Sequence, residues 1–405
     1  MEVNQSLKSA DELFKRGKFE EAEKLYRAEV DQNPKNFKAF LQLGYIALLS
    51  NRLQEAQDWL MKAIELQPEE KVPKLFMAEA FYRQDKFQEA AQYFRAVGRE
   101  AIARKLESFK DLKPYQIQGD YKATSLNFLM TDALPVIKVR ANDSEEVNFL
   151  IDTGASEAVI DSEFAQEIGL HSLSSQTGTY AGGKKATFFH GHLKSLVLGD
   201  FEVKNVPVHI QSVRKFSALI FSGKRIDGII GTVLFYHFLV TLDYPEGKLI
   251  LRRKTKDNLE QLEKEAQTKQ YIIVPFWMAG DHFIVAWGTV NKTQPLLFMV
   301  DTGLAGGGFT CPQSTVKKAR IKLMENMARE GIGGGGKVKV VPFVLDELTL
   351  GDAKEEGIRG LFAGVFPLEN VLGFSIGGII SHGFFRYYAL TFDFEGMRLF
   401  LKKKS

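Results

Sequence analysis

Two aspartates, Asp152 and Asp301, each close a run of three apolar residues and are each followed by Thr and Gly: FLIDTG at 149–154 and FMVDTG at 298–303. A lone Asp-Thr-Gly is ordinary turn material, and at average composition one arises by chance in on the order of one in ten chains of this size. Two copies in the same strand-like context, 149 residues apart (301 minus 152), are improbable by chance. Two carboxylates brought side by side repel when both are ionised, so the pair holds one proton over a range of pH and titrates as a unit. One group is then a base while its neighbour is an acid. That equipment can take a proton from a water as it attacks an amide carbon and protonate the carbonyl oxygen, with no metal and no covalent intermediate.

The elements around the two sites repeat with them. Asn142 and Asn291 each lie ten residues ahead of their aspartate, in a polar turn between two strand-like runs. Short helical patterns follow at 161–169 and 312–323, then glycine-rich turns between strands, TYAGGKK at 179–185 and GIGGGGK at 331–337. SLVLGDFEV at 195–203 is answered by ELTLGDAKE at 347–355, and DGIIG at 227–231 by GGIIS at 377–381. Each half closes on a hairpin, VTLDYPEGKLIL at 240–251 and LTFDFEGMRLFL at 390–401. The common order argues for a duplicated unit whose two lobes, packed about a pseudo-twofold axis, bring equivalent strand ends together and Asp152 next to Asp301. Gly154 and Gly303 permit a tight turn that aims amide N–H groups at the carboxylates, and Thr153 and Thr302 can hydrogen-bond across the axis.

These residues resemble the aspartic proteases, more closely their retropepsin-like branch, over roughly residues 130 to 401. The resemblance implies a mostly-β bilobal fold with Asp152 and Asp301 as the catalytic dyad, Thr153, Gly154, Thr302 and Gly303 as their immediate support, and Ile229-Ile230-Gly231 as the apolar segment of the first lobe. It also implies two flaps closing over an extended polypeptide substrate, built around Tyr180, Ala181, Gly182 and Gly183 in one lobe and Gly333, Gly334 and Gly335 in the other. Family members usually join two chains; here both lobes lie in one, so the site is expected to form without dimerisation. Two positions depart from the pattern: Leu304 stands where the first lobe has Ala155, and Ser381 where it has Gly231. The alternative reading is therefore a protease-shaped peptide-binding adaptor whose chemistry has been lost.

The first hundred residues carry a different period. Ala22, Ala56 and Ala90 are spaced by 34, in step with Tyr26, Leu60 and Phe94 and with Pro34 and Pro68. Gly17, Asn51 and Asp85 fall at the turn between two helices, and Ala10, Gly44 and Ala78 where paired helices approach closely. These positions resemble the tetratricopeptide repeat, with units at 6–72 and a third, lacking its closing proline, at 73–106. In that family such arrays bind peptides or protein partners, or serve as a spacer or dimer surface. The expected fold is thus an all-α helical-hairpin repeat over 1–112, a first lobe at 113–254, a charged linker at 255–270 and a second lobe at 271–405.

Composition sets the remaining limits. The 405 residues are 45% hydrophobic and 25% charged, as in ordinary globular protein, and a net charge of +3 gives no case for nucleic acid as a partner. The single cysteine, Cys311, rules out an intramolecular disulfide and makes a poor nucleophile candidate. No apolar run reaches the roughly 20 residues of a membrane span, and the amino terminus lacks a leader's layout. A cytoplasmic protein is the default expectation, with a periplasmic or secreted one whose leader has been removed as the alternative. GIGGGG at 331–336 matches a dinucleotide-binding glycine pattern, but a strand rather than a helix is expected after it. His190 and His192 share a strand face without a third ligand at recognisable spacing, so they are assigned to structure and no metal or cofactor is expected. Trp277 and Trp287 are read as core.

Overall fold

The computed structural model describes residues 2–179, 185–333, 336–364 and 368–404, and the chain divides into two units. The first unit is helical and comprises Met1–Leu112 with two short segments from far along the chain, Trp277–Asp281 and Leu368–Ser375. Three helical hairpins, α1 (Glu2–Lys15) with α2 (Phe19–Gln32), α3 (Phe37–Leu49) with α4 (Leu53–Leu66) and α5 (Lys71–Tyr82) with α6 (Phe87–Ala96), are followed by α7 (Glu100–Glu107). The 34-residue step has a backbone cause. Gly17, Asn51 and Asp85 all take positive φ (77°, 57° and 58°), and the next residue returns a hydrogen bond to the preceding turn, as Lys18 N–H does to Leu13 O and Arg52 N–H to Ala47 O, both at 2.9 Å. This is the left-handed helix stop that glycine, asparagine and aspartate tolerate best. Close packing fixes the other repeat positions. A β-carbon on Gly44 would lie 2.6 Å from Leu60 Cγ, and Ala10, Ala22, Ala56, Ala78 and Ala90 are all buried.

The two distant segments complete this unit. Phe374 packs edge-on against Phe14 and Phe19, with ring centres 6.0 and 5.0 Å away, and Trp277 meets Phe19 at 5.4 Å. The Tyr45 hydroxyl donates to Leu372 O at 3.0 Å, and the Arg83 guanidinium donates to Met278 O and Leu48 O, both at 2.7 Å. Trp277 begins the short strand Trp277–Ala279, and its half-buried ring packs on the start of α2.

The second unit is built from strands, as its period-two runs require. In the first lobe an eight-stranded sheet has the order Gln116–Ile117, Phe201–Gln211, Ala158–Asp161, Gly228–Ile230, Val147–Ile151, Val136–Ala141, Lys185–Leu198 and Ser174–Thr179. The long strand Lys185–Leu198 also pairs with Phe201–Gln211, which curls the sheet on itself. The second lobe repeats this wiring: Phe283–Val290, Leu296–Val300, Gly378–Ile380, Phe309–Thr310, Ala353–Phe362, Gly336–Leu350 and Arg329–Gly333 follow in order. In both, the strand leading to the aspartate lies parallel to the apolar strand, Phe149 opposite Gly228 and Phe298 opposite Gly378.

Equivalent asparagines hold equivalent corners. Asn142 and Asn291 both take positive φ (53° and 47°). Each side-chain oxygen accepts two backbone N–H groups, from Lys194 and Ser195 in one lobe and from Asp346 and Glu347 in the other. The helical patterns after the two sites are shorter than expected, Ser162–Glu167 and Gln313–Lys318; Asp161 caps the first by accepting from Glu163 N–H at 2.9 Å.

The described strands on either side of each glycine-rich run pair antiparallel. Ser174–Thr179 pairs with Lys185–Leu198, and Arg329–Gly333 with Gly336–Leu350, where Gly333 faces Gly336. Tyr180, Ala181, Gly182, Gly183, Gly334 and Gly335 lie outside the described residues. A strand, and no helix, follows the GIGGGG run, so the dinucleotide pattern lacks the helix it needs.

A third, six-stranded antiparallel sheet joins the lobes, three strands from each: Ile272–Pro275, Arg398–Lys403, Tyr388–Asp393, Phe238–Asp243, Lys248–Arg253 and Ala123–Asn127. Its central pair puts Thr241 opposite Thr391, and their buried hydroxyls hydrogen-bond at 2.7 Å on the pseudo-twofold axis. The charged segment between the lobes forms the helix Lys256–Thr268, which buries Leu262 and Ala266 against Leu239 and Phe400. Among the described residues no helix is long and apolar enough to cross a membrane.

Candidate active site

Asp152 and Asp301 follow strands Val147–Ile151 and Leu296–Val300, and each is tied to the neighbouring apolar strand by its own N–H, donating to Ile230 O at 3.1 Å and Ile380 O at 3.0 Å. The chain then turns so that Gly154 N–H donates to Asp152 Oδ1 at 2.8 Å and Gly303 N–H to Asp301 Oδ1 at 2.7 Å. The two threonines cross the axis reciprocally: Thr153 N–H donates to Thr302 Oγ1 and Thr302 N–H to Thr153 Oγ1, both at 3.0 Å. Both threonines are fully buried, so these bonds satisfy backbone N–H groups that water does not reach. Thr232 Oγ1 adds a bond to Thr153 O at 2.7 Å.

This bracing brings the two carboxyls together. They hydrogen-bond to one another, and each lies against the glycine of the opposite lobe. Both are pushed above the ordinary carboxyl range, Asp152 by burial and then by the neighbouring Asp301 charge, Asp301 by burial against the opposing pull of Gly303 N–H. Two partly desolvated like charges at this distance cannot both ionise readily, so the pair retains a proton.

Two neighbours of the dyad carry no signal in the sequence. Tyr244, in the turn of the first lobe's closing hairpin, is buried against His382 (ring centres 5.3 Å apart) and feels both aspartates; burial, then the charges of Asp301 and Asp152, pushes its phenol up. His282 sits just ahead of strand Phe283–Val290, and its charge favours the ionised form of Asp301. Neither residue falls in a repeated motif. The first lobe's entry loop also reaches the second lobe: Asp132 accepts from Arg386 at 2.9 Å and lies 3.1 Å from His382 Nε2, and the His382 hydrogen bond holds the Asp132 carboxyl below its usual range.

The departures in the second lobe have a geometric account. A β-carbon on Gly231 would stand 2.3 Å from Ser156 O and 2.4 Å from Glu157 O, so only glycine fits there. In the second lobe the loop is longer: strand register equates Ala158 with Phe309, which lie six residues after Asp152 (158 minus 152) and eight after Asp301 (309 minus 301). The longer loop leaves room for Ser381, whose Oγ accepts from Leu304 N–H at 3.1 Å. Ser381 thus holds the loop that carries Leu304. A cavity of about 720 Å³ bordered by Met130, Phe221, Gly307, Ile358 and Tyr387 includes neither aspartate in its lining. Cys311 is buried, and burial pushes its thiol up to about 12, which removes it as a nucleophile.

The aspartyl protease family model matches residues 137–234 and, separately, 286–378, and a tetratricopeptide repeat model matches residues 7–71. The two matched segments coincide with the two lobes of the β-rich part, which is thus similar to the aspartyl proteases of retropepsin-like type twice over, and the helical hairpins that precede it are similar to tetratricopeptide repeats. No curated protein matches the chain.

Proposed function

We propose that the protein is an aspartic endopeptidase that hydrolyses extended polypeptides through a water activated between Asp152 and Asp301. The observation that carries this reading is the seating of each carboxyl against the glycine of the opposite lobe, which brings the two acids face to face across the reciprocal threonine bonds. In the single-proton state one carboxylate takes a proton from the water as its oxygen bonds to the amide carbon, and the protonated partner gives its proton to the carbonyl oxygen. Collapse of the resulting diol returns a proton to the dyad, protonates the departing nitrogen and breaks the C–N bond. Thr153, Thr302, Gly154 and Gly303 act as positioning residues. Tyr180, Ala181, Gly182, Gly183, Gly333, Gly334 and Gly335 are assigned to substrate contact. We divide the chain functionally at 1–112, 113–254, 255–270 and 271–405, with the repeat recruiting substrate or a protein partner.

The test is cleavage of a mixed peptide library from acidic to neutral pH. The natural chain should cut, and Asp152→Asn and Asp301→Asn should each lose at least about 10²-fold in rate. One observation favours a second reading, a binder without chemistry: bulky Leu304 stands directly after the second Asp-Thr-Gly. Peptide capture without products from the natural chain would select it.

A further inference from the structure

Three side chains able to ligate a metal converge in the first lobe, two from neighbouring strands and one from the residue just ahead of a third. Glu157 immediately precedes strand Ala158–Asp161, which runs parallel to Phe201–Gln211 with Val159 opposite His209; His190, on Lys185–Leu198, faces His209 in register from the other side. One potential ligand atom from each of the three lies within 4.8 Å of the others. His209 Nε2 is 3.4 Å from Glu157 Oε2, and the two imidazole rings are 5.1 Å apart, centre to centre. Glu157 and His190 are each only 1% exposed. A buried carboxylate and two imidazoles in one small volume need a common counter-charge or a common bond. His209 and Glu157 are close enough to pair, and the His190 ring stands edge-on to His209 beside them.

The surroundings of His190 suit a ligand. Its Nε2 lies 3.2 Å from Gln176 Oε1, and an amide oxygen only accepts, so Nε2 carries the hydrogen and the lone pair of the neutral ring is on Nδ1. An outer carbonyl that fixes the tautomer in this way is the usual companion of a metal-bound imidazole. Two nitrogens and a carboxylate form a ligand set of zinc type that leaves coordination positions for solvent. Bonds of about 2.0 Å in a tetrahedron put donors roughly 3.3 Å apart, so binding needs the most distant pair to draw in by up to about 1.5 Å (4.8 minus 3.3) while His209 and Glu157 are already at that spacing.

We propose that Glu157, His190 and His209 bind one divalent transition-metal ion of zinc type, which ties the base of the hairpin Ser174–Thr179/Lys185–Leu198 to the two strands beside it. The site is separate from the dyad and needs no metal in the hydrolytic chemistry.

The experiment strips the full chain with a chelator and titrates it with Co²⁺, read by its visible absorption, and with Zn²⁺, read by calorimetry and by melting temperature. The expected result is one ion per chain, a higher melting temperature with Zn²⁺, and loss of both in Glu157→Gln and His209→Ala. Gln176→Ala should weaken binding by about 10–100-fold. His192→Ala and Asp152→Asn should bind as the natural chain does. Glu157→Gln keeps the shape of the side chain, and His209 is partly exposed, so at least one of these variants tests ligation in a folded protein. The proposal is overturned if the natural chain binds neither ion, if binding survives in folded Glu157→Gln or His209→Ala, or if it is lost in His192→Ala or Asp152→Asn.

Discussion

The carboxylate of Asp301 occupies the space that a side chain on Gly154 would need: a β-carbon there would stand 2.5 Å from its Cγ and from both of its oxygens. Gly303 has the same relation to Asp152, with a β-carbon 2.1 Å from Oδ1. Each lobe's glycine is thus the floor on which the other lobe's acid rests, and the bare backbone is what lets two carboxyls meet.

Gly303→Ala should push the Asp152 carboxyl out of place. A displacement of about 1 Å at reacting groups costs on the order of 10²-fold in rate. Peptide hydrolysis by this variant should fall by at least that factor, and unchanged turnover would show that the dyad tolerates separation.

The acidity of the pair predicts a pH dependence of stability. A carboxyl pushed up in the folded state binds its proton more tightly there than in the unfolded chain, so its contribution is present in full below the ordinary value of 3.8 and is lost as pH rises through the folded value. Asp152→Asn removes one of the two charges. Its melting temperature should exceed that of the natural chain at neutral pH, and the gap should close as pH falls toward 3.8. A variant that melted lower at neutral pH would contradict this.

The reciprocal threonine bonds predict non-additivity. Thr302→Val keeps the shape but leaves the buried Thr153 N–H without its acceptor, at a cost of about 1–3 kcal/mol. Thr153→Val should cost about the same, and the double variant less than the sum, because each change disrupts the same bracing. Denaturant melts of the three variants measure it; strict additivity would mean the two bonds act independently.

Ser381 and Gly231 should not be interchangeable. Ser381→Gly removes the acceptor for Leu304 N–H and should cost about 1 kcal/mol. Gly231→Ser drives a β-carbon into two carbonyl oxygens and should cost about 3 kcal/mol or more. Equal effects in thermal melts would refute the account of the two loops.

The features readable in the sequence were those written in local chemistry. Asp152 and Asp301 announce themselves because an acid after three apolar residues conflicts with its surroundings, and the duplicated turns carry Asn142 and Asn291 at positions where the backbone goes left-handed. The 34-residue period survives because helix stops and small residues recur at fixed steps. What escaped depends on register between distant strands. His190 was visible, but the ring beside it is His209 on the adjacent strand, not His192 two residues along, and Glu157 comes from just ahead of a third strand. The role of Ser381 depends on a loop longer by two residues (8 minus 6), and Trp277 joins a unit whose other members lie more than 150 residues away.

The central sheet, with three strands from each lobe in one covalent chain, has a consequence for evolution. A two-chain enzyme of this kind must accept every substitution twice, once on each side of its axis. Here one side can change alone, as Leu304 with Ser381 against Ala155 with Gly231 already illustrates. A polypeptide has a beginning and an end, and a cradle whose halves are unequal can tell them apart, admitting its guest in one direction only.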